Sequence, residues 1–242
     1  MNYYALLPAA GSGSRMNSPT GRNVPKQYLP LLDRPLIWHA VSTLCAVTAL
    51  DRIFVVLAAD DQDWPQRDMA VFASKLQVLR CGGATRSQSV ANGLRAVADQ
   101  VGADDWILVH DAARPCVTVA QVERLIAAVG DDKDGAGGLL AIPLADTLKR
   151  ATPHSPERRQ LPRISATVPR DNLWQAQTPQ MFRYRLLLDA LDFAPLVTDE
   201  ASAVEALGLE PRLIEADASN LKVTYPFDLE LAAMILRRRA AQ

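Results

Sequence analysis

Tyr3-Tyr4-Ala5-Leu6-Leu7-Pro8-Ala9-Ala10-Gly11-Ser12-Gly13-Ser14-Arg15-Met16 opens as an apolar run and closes as a chain of small residues. An apolar run cut off at once by Gly and Ser reads as a strand of a parallel sheet, covered on both faces. The small residues that follow let backbone N–H groups close around an anionic phosphate, and Arg15 adds a fixed, charge-assisted donor. No Gly-Lys-Ser/Thr ends the loop, so it is not a Walker loop. Gly11-x-Gly13 starts a dinucleotide fingerprint, but Met16 stands where the third glycine belongs. An acidic residue closing a second strand is also missing, because Asp33 sits in the turn-like Leu32-Asp33-Arg34-Pro35. Both departures weigh against an NAD(P)-binding oxidoreductase.

Outward from this stretch, short apolar runs at 52–58, 76–80, 106–110 and 137–142 read as further buried strands. Between them, residues 36–47, 87–98 and 119–129 carry apolar side chains at three- and four-residue spacing, which predicts helices. Ser87 and Thr118 stand where N-caps are expected. Such alternation predicts an α/β fold: a mostly parallel sheet with helices on both faces, three layers in all. The rhythm breaks at about 146–172, where prolines and basic residues crowd together and only Ile164-Ser165-Ala166-Thr167-Val168 reads as a short strand. This segment is too short and polar for a core of its own, so it reads as a β-arm projecting from a single domain spanning 1–242, with a solvated loop as the alternative. Helices at 184–191 and 199–207, a strand at 212–215 and a helix at 228–239 follow.

The chain has 242 residues and a formal net charge of −1, which excludes a basic field for nucleic acid. Any functional cations must therefore be gathered locally. No apolar run is long enough to cross a bilayer, and the immediate entry into a strand after Met1-Asn2 predicts no secretory leader. Cys45, Cys81 and Cys116 are widely spaced and form no CxxC or Cys/His pair, so a reduced, cytoplasmic setting is expected.

Several blocks, taken in order, resemble one family. Pro8-Ala9-Ala10-Gly11-x-Gly13-x-Arg15-Met16 and Pro25-Lys26-Gln27-Tyr28 come first, then Gly82-Gly83-x-x-Arg86-x-x-Ser89-Val90 and Val109-His110-Asp111-Ala112-Ala113-Arg114-Pro115. Asp146-Thr147-x-Lys149, Arg170-x-x-Leu173-Trp174-x-Ala176-Gln177-Thr178-Pro179-Gln180, Thr198-Asp199-Glu200-Ala201-Ser202 and Asn220-x-Lys222-Val223-Thr224 complete the series. Together they are similar to the 2-C-methyl-D-erythritol 4-phosphate cytidylyltransferase family, and the likeness spans nearly the whole chain. It implies a Rossmann-like nucleotidyltransferase fold that moves CMP from CTP to a sugar-alcohol phosphate in the non-mevalonate route to isoprenoids. Two departures stand out: the connection 17–24 is longer than the family's, and Pro169-Arg170-Asp171-Asn172 replaces the commoner Asp-Arg pair. The long connection is expected to be mobile without CTP.

The resemblance also implies roles. Ala9, Ala10, Gly11 and Gly13 close around the nucleotide, Gly83 and Ser89 read the pyrimidine edge, and Asp111 with Ala112 meets the ribose and the metal-bound phosphates. Arg15, Lys26 and Lys222 surround the α-phosphate as the catalytic cations. Such positioning and charge stabilisation are what nucleotidyl transfer needs. Mg²⁺ is expected to ride mainly on the CTP phosphates, near Asp111, rather than on a protein-built cage. Arg114, Thr147, Arg170, Thr178 and Thr198 are the implied ligands of the acceptor's own phosphate. Thr147 and Arg170 flank the arm, which implies a homodimer whose arm serves the neighbouring site. His110 is expected to be a packed histidine, and Arg86 a structural ion pair outside the core of the site. Ribitol 5-phosphate is the alternative acceptor, since enzymes using it share most of these blocks.

Overall fold

The computed structural model describes residues 1–11, 24–131, 135–152 and 161–241. β1 (Tyr3–Pro8) alternates between two cores: Ala5 and Leu7 face one, Tyr4 and Leu6 the other. The strand period of two dictates this once both faces are covered. After the 3-10 turn Lys26–Tyr28 come β2 (Pro30–Leu31) and β3 (Arg34–Pro35), which pair with each other and lead into α1 (Leu36–Ala46). β4 (Leu50–Val56), the single-turn α2 (Gln66–Met69) and β5 (Leu76–Leu79) follow, then α3 (Arg86–Ala96), β6 (Trp106–Val109) and α4 (Val119–Val129). The second half holds β7 (Gly138–Pro143), β8 (Leu148–Ala151), β9 (Ile164–Val168) and β10 (Trp174–Arg183). It closes with α5 (Tyr184–Phe193), α6 (Glu200–Glu205), β11 (Arg212–Glu215) and α7 (Pro226–Ala240).

The central sheet has seven strands in the order β11-β7-β10-β6-β1-β4-β5. All neighbours are parallel except β10, which runs antiparallel to both β6 and β7. Ile37, Leu44, Val122 and Leu125 cover one face from α1 and α4, while Val90, Leu94, Leu187 and Val204 cover the other from α3, α5 and α6. The three layers are as expected. β10 is the element that the sequence pattern does not disclose: its pairing with β7 breaks between Ala176 and Gln180, and Pro179 lies in the break. The alternation is interrupted where it would have to be read.

The capping of α3 corrects one expectation. Thr85, not Ser87, is the N-cap: its hydroxyl accepts from the Gln88 N–H at 3.1 Å, so the helix begins earlier. Ser87 lies inside the helix and donates to the Pro195 carbonyl at 3.0 Å. Thr118 does cap α4, in a reciprocal box with Gln121. β8 and β9 pair antiparallel and form the expected arm, with Leu148 and Ile164 exposed on it. Among the described residues no helix is long and apolar enough to cross a membrane.

The sheet order carries a positional consequence. From β1 the chain steps to β4 and β5 on one side, then returns to place β6 on the other side. A crevice opens at such a reversal, beyond the carboxyl ends of the strands, and open α/β sheets bind their ligands there.

Candidate active site

A cavity of about 590 Å³ occupies that crevice. Pro8, Ala9, Ala10 and Gly11 line it beyond β1, Gly83 to Arg86 and Ser89 beyond β5, and Asp111 to Ala113 beyond β6. Lys26 and Gln27 form another side, and Lys222 and Thr224, before α7, close it. The loops are packed tightly enough to need small residues. A Cβ on Gly82 would come within 2.3 Å of the Ala10 Cβ and 2.9 Å of the Leu57 carbonyl oxygen, so this turn can approach the Ala10 loop only as glycine. Ser89 shapes the same turn: its Oγ accepts from the Gly83 N–H at 3.0 Å and donates to the Thr85 carbonyl at 2.9 Å. Gln27 Nε2 donates to the Ala9 carbonyl at 2.7 Å, and Lys26 Nζ to the Val223 carbonyl at 2.9 Å. These bonds tie the residues around β1 to the segment that carries Lys222.

Asp111 is the one acidic side chain on the described lining, against Lys26, Arg86 and Lys222. Its two oxygens are divided between partners. Arg86 Nε donates to Oδ1 at 2.8 Å, and Lys222 Nζ pairs with Oδ2 at 2.6 Å. Burial works to raise the Asp111 pKa, but the charges of Arg86, Lys222 and Arg114 outweigh it and hold the carboxyl well below its usual range. Arg86 in turn grips Glu200 with both terminal nitrogens, at 2.6 and 3.0 Å, and Glu200 is fully buried. Burial would lower the Arg86 pKa, yet the two carboxylates reverse this and raise it. The Glu200 carboxyl is pushed up by its burial, with Arg86 opposing.

Beneath the lining, the proton positions of a buried chain are fixed by elimination. His110 Nε2 lies 3.1 Å from the Arg114 carbonyl, which can only accept, so Nε2 carries the proton. Burial lowers the His110 pKa to about 4, with the Arg114 carbonyl and Asp111 opposing, so the ring is neutral and Nδ1 is an acceptor. The Thr178 hydroxyl, 3.0 Å away, therefore donates to Nδ1 and accepts the Asp111 N–H, also at 3.0 Å. The backbone of Asp111 is thus held from below. Arg114 Nη1 donates to the Asn220 carbonyl at 2.8 Å, and Asn220 Nδ2 donates to the Thr178 carbonyl at 2.9 Å.

Of the residues singled out by sequence, Ala9, Ala10, Gly11, Lys26, Gly83, Ser89, Asp111, Ala112 and Lys222 come together on the cavity wall. Gly13, Arg15 and the connection expected to be mobile, apart from Val24, lie outside the described residues. Arg114 and Thr178 are buried one layer behind the wall; the Thr178 hydroxyl and the Arg114 Nη1 bond to protein partners, while Arg114 Nε is buried without a hydrogen bond. Thr198 is exposed beside α6, with its hydroxyl 3.4 Å from that of Ser202. Thr147 and Arg170 are exposed at the base of the arm, where Arg170 donates to the Ala145 carbonyl, and neither lines this cavity. His110 is packed, as expected. Arg86 forms the expected ion pair and also lines the cavity. Its place as the first residue of a helix that follows a glycine turn is the signal that could have found it. Thr85 and Gln27 also line the cavity unforeseen; each sits within a recognised block but has no distinctive chemistry in sequence.

A family model described as 2-C-methyl-D-erythritol 4-phosphate cytidylyltransferase matches residues 3–238. A protein of that name from Dechloromonas aromatica is 56% identical over 237 residues, covering 98% of each chain. Another from Aromatoleum aromaticum is 56% identical over 239 residues, 99% of this chain and 97% of its own. Among solved structures, one titled 4-diphosphocytidyl-2C-methyl-D-erythritol synthase superposes with a TM-score of 0.82 at 38% identity, covering 97% of this chain and 98% of its own. The Francisella tularensis 2-C-methyl-D-erythritol 4-phosphate cytidylyltransferase gives 0.76 at 33% identity, covering 97% of this chain and 100% of its own.

Proposed function

The chain belongs to the 2-C-methyl-D-erythritol 4-phosphate cytidylyltransferase family, and on that premise we infer how its cavity transfers CMP from CTP to 2-C-methyl-D-erythritol 4-phosphate. The products are 4-diphosphocytidyl-2-C-methyl-D-erythritol and pyrophosphate. The observation that carries the reading is a cationic rim, Lys26, Arg86 and Lys222, at a sheet reversal walled by small-residue turns. CTP lies with its base toward the Gly83–Ser89 turn and its phosphates toward Lys26 and Lys222. An oxygen of the acceptor's phosphate attacks the α-phosphorus, a new P–O–P link forms, and the bond to the bridging oxygen of pyrophosphate breaks. Lys26 and Lys222 hold charge that grows as that bond breaks, and Arg15 is assigned the same task by its block. The attacking phosphate monoester is already ionised near neutral pH, so no strong general base is required.

Mg²⁺ fits this site as a companion of the triphosphate. Among the described residues no cluster of three or more His, Cys, Asp or Glu could hold an ion unaided. Asp111 is the lining carboxylate, and its depressed pKa keeps it charged, so it would help hold the ion beside the nucleotide. When bound, the ion would supply charge that offsets phosphate repulsion and stabilises departing pyrophosphate.

The working unit is a homodimer joined through the arm. Thr147 and Arg170 stand exposed at the arm's base, away from their own cavity, and Leu148, Ile164 and Trp174 are exposed around it. An arm that embraces a second copy would cover these apolar side chains and bring both phosphate ligands to the neighbour's acceptor site. Cys45, Cys81 and Cys116 are free thiols, which supports work in the reducing cytoplasm.

Pyrophosphate release from CTP and 2-C-methyl-D-erythritol 4-phosphate tests the reading, with ATP, GTP and UTP as nucleotide controls. Ribitol 5-phosphate is the acceptor control. Release with CTP and the branched acceptor alone is expected; equal rates with ribitol 5-phosphate would move the assignment to that acceptor.

A further inference from the structure

We propose that Arg86, clamped by Glu200, is a positioning residue that holds Asp111 in place so that Lys222 can leave it for the substrate phosphates. The proposal rests on the cytidylyl-transfer reading of the site. Its basis is the unequal way in which Asp111 is held. Lys222 makes a single contact to Oδ2 from a side chain that is 40% exposed, a geometry suited to exchange of partners. Arg86 holds Oδ1 with Nε while its terminal nitrogens fork onto Glu200, so the guanidinium is fixed at both edges. Only a planar guanidinium can do both at once; a lysine ammonium in its place is a point charge that must choose.

Glu200 is itself immobilised. It is the first residue of α6, whose N-cap is Asp199, with the Asp199 carboxylate accepting from the Ser202 N–H at 3.1 Å and from Gln180 Nε2 at 2.8 Å. Gln180 Oε1 accepts the Ala201 N–H at 2.8 Å, so both ends of one amide on β10 grip the start of α6. The path from sheet to Glu200 to Arg86 to Asp111 consists of buried or half-buried groups throughout. When Lys222 turns to a triphosphate, Asp111 would become a nearly unpaired buried carboxylate without Arg86, since Arg114 Nε stands 4.0 Å away. Arg86 keeps the carboxylate paired and aimed while Lys222 exchanges partners.

The test compares Arg86→Lys, Glu200→Gln and Asp111→Asn, singly and combined, in the full-length protein. Wild-type pyrophosphate release is measured first, so failure of the function reading would show there and not in the variants. Arg86→Lys and Glu200→Gln are each expected to lower kcat about 10–100-fold while the Kd for CTP changes less than about threefold. Arg86→Lys added to Asp111→Asn should cost little more than Asp111→Asn alone, because Arg86 acts through that carboxylate. Additive losses, or a fall in kcat that merely tracks the folded fraction seen by thermal melting, would make Arg86 a structural ion pair and overturn the proposal. Full turnover in Arg86→Lys would overturn it too.

Discussion

Asp111 gathers around itself what the reaction needs at the scale of single residues: a carboxylate kept ionised, a lysine within 2.6 Å, and a backbone pinned by the Thr178 hydroxyl. Lys26→Ala and Lys222→Ala are each expected to cut turnover by about 10²–10³ with much smaller effects on CTP affinity, because their charge is matched to the transition state. Rapid-quench rates set against equilibrium CTP titration check this; near-normal turnover in either variant would remove its catalytic assignment. His110 makes a second prediction, in the same direction as a carboxylate whose pKa folding depresses. Its pKa falls from 6.5 to about 4 on folding, so between those values the unfolded chain binds the proton that the folded chain refuses. The stability due to its neutral form is fully present above pH 6.5 and is lost as pH drops toward 4, by about 3 kcal/mol in all. Melting curves of wild type and His110→Gln across that range should differ in slope, and parallel curves would rule the histidine out as the cause.

At the scale of elements, the turns after β1, β5 and β6 are where sequence is most informative, because each couples a buried strand to residues whose chemistry is visible in isolation. Ala9, Gly83 and Asp111 could be placed there from strand periodicity and block order alone. β10 could not: Gln177-Thr178-Pro179-Gln180 is polar and contains a proline, yet its side chains are buried because they bond to His110, Asp199 and Asn220 from distant parts of the chain. Such satisfaction of polar groups is a tertiary fact with no local period. The Arg86 clamp was hidden for the same reason, since its partners Asp111 and Glu200 are far apart in sequence. The arm carries its own prediction. Arg170→Ala should raise the apparent KM for the acceptor phosphate about tenfold or more while CTP binding stays nearly intact, as loss of one charge-assisted phosphate contact requires. Steady-state kinetics in each substrate separately decide it, and a KM effect confined to CTP would place Arg170 elsewhere.

For the whole molecule, the proposed dimer would make the arm of one chain part of the site of another. Arg170→Ala and Lys26→Ala, assayed at an acceptor concentration well below the Arg170→Ala KM so that both are impaired, should regain activity when mixed and allowed to exchange subunits, because a mixed dimer holds one site with both residues intact. No recovery despite demonstrated exchange would confine each site to a single chain. The cavity itself has a history as well as a shape. Its wall is assembled from segments that run from Pro8 to Thr224, and the Lys26 bond to the Val223 carbonyl joins early chain to late chain. A ribosome makes Asp111 well before Glu200 and Lys222, so a nascent chain can form β1, β4, β5 and β6 while Lys222 and the Val223 carbonyl that holds Lys26 are still unmade. During synthesis the half-built crevice lacks the Lys222 cation, so a site that depends on it is completed only when the last segment of its wall has been made.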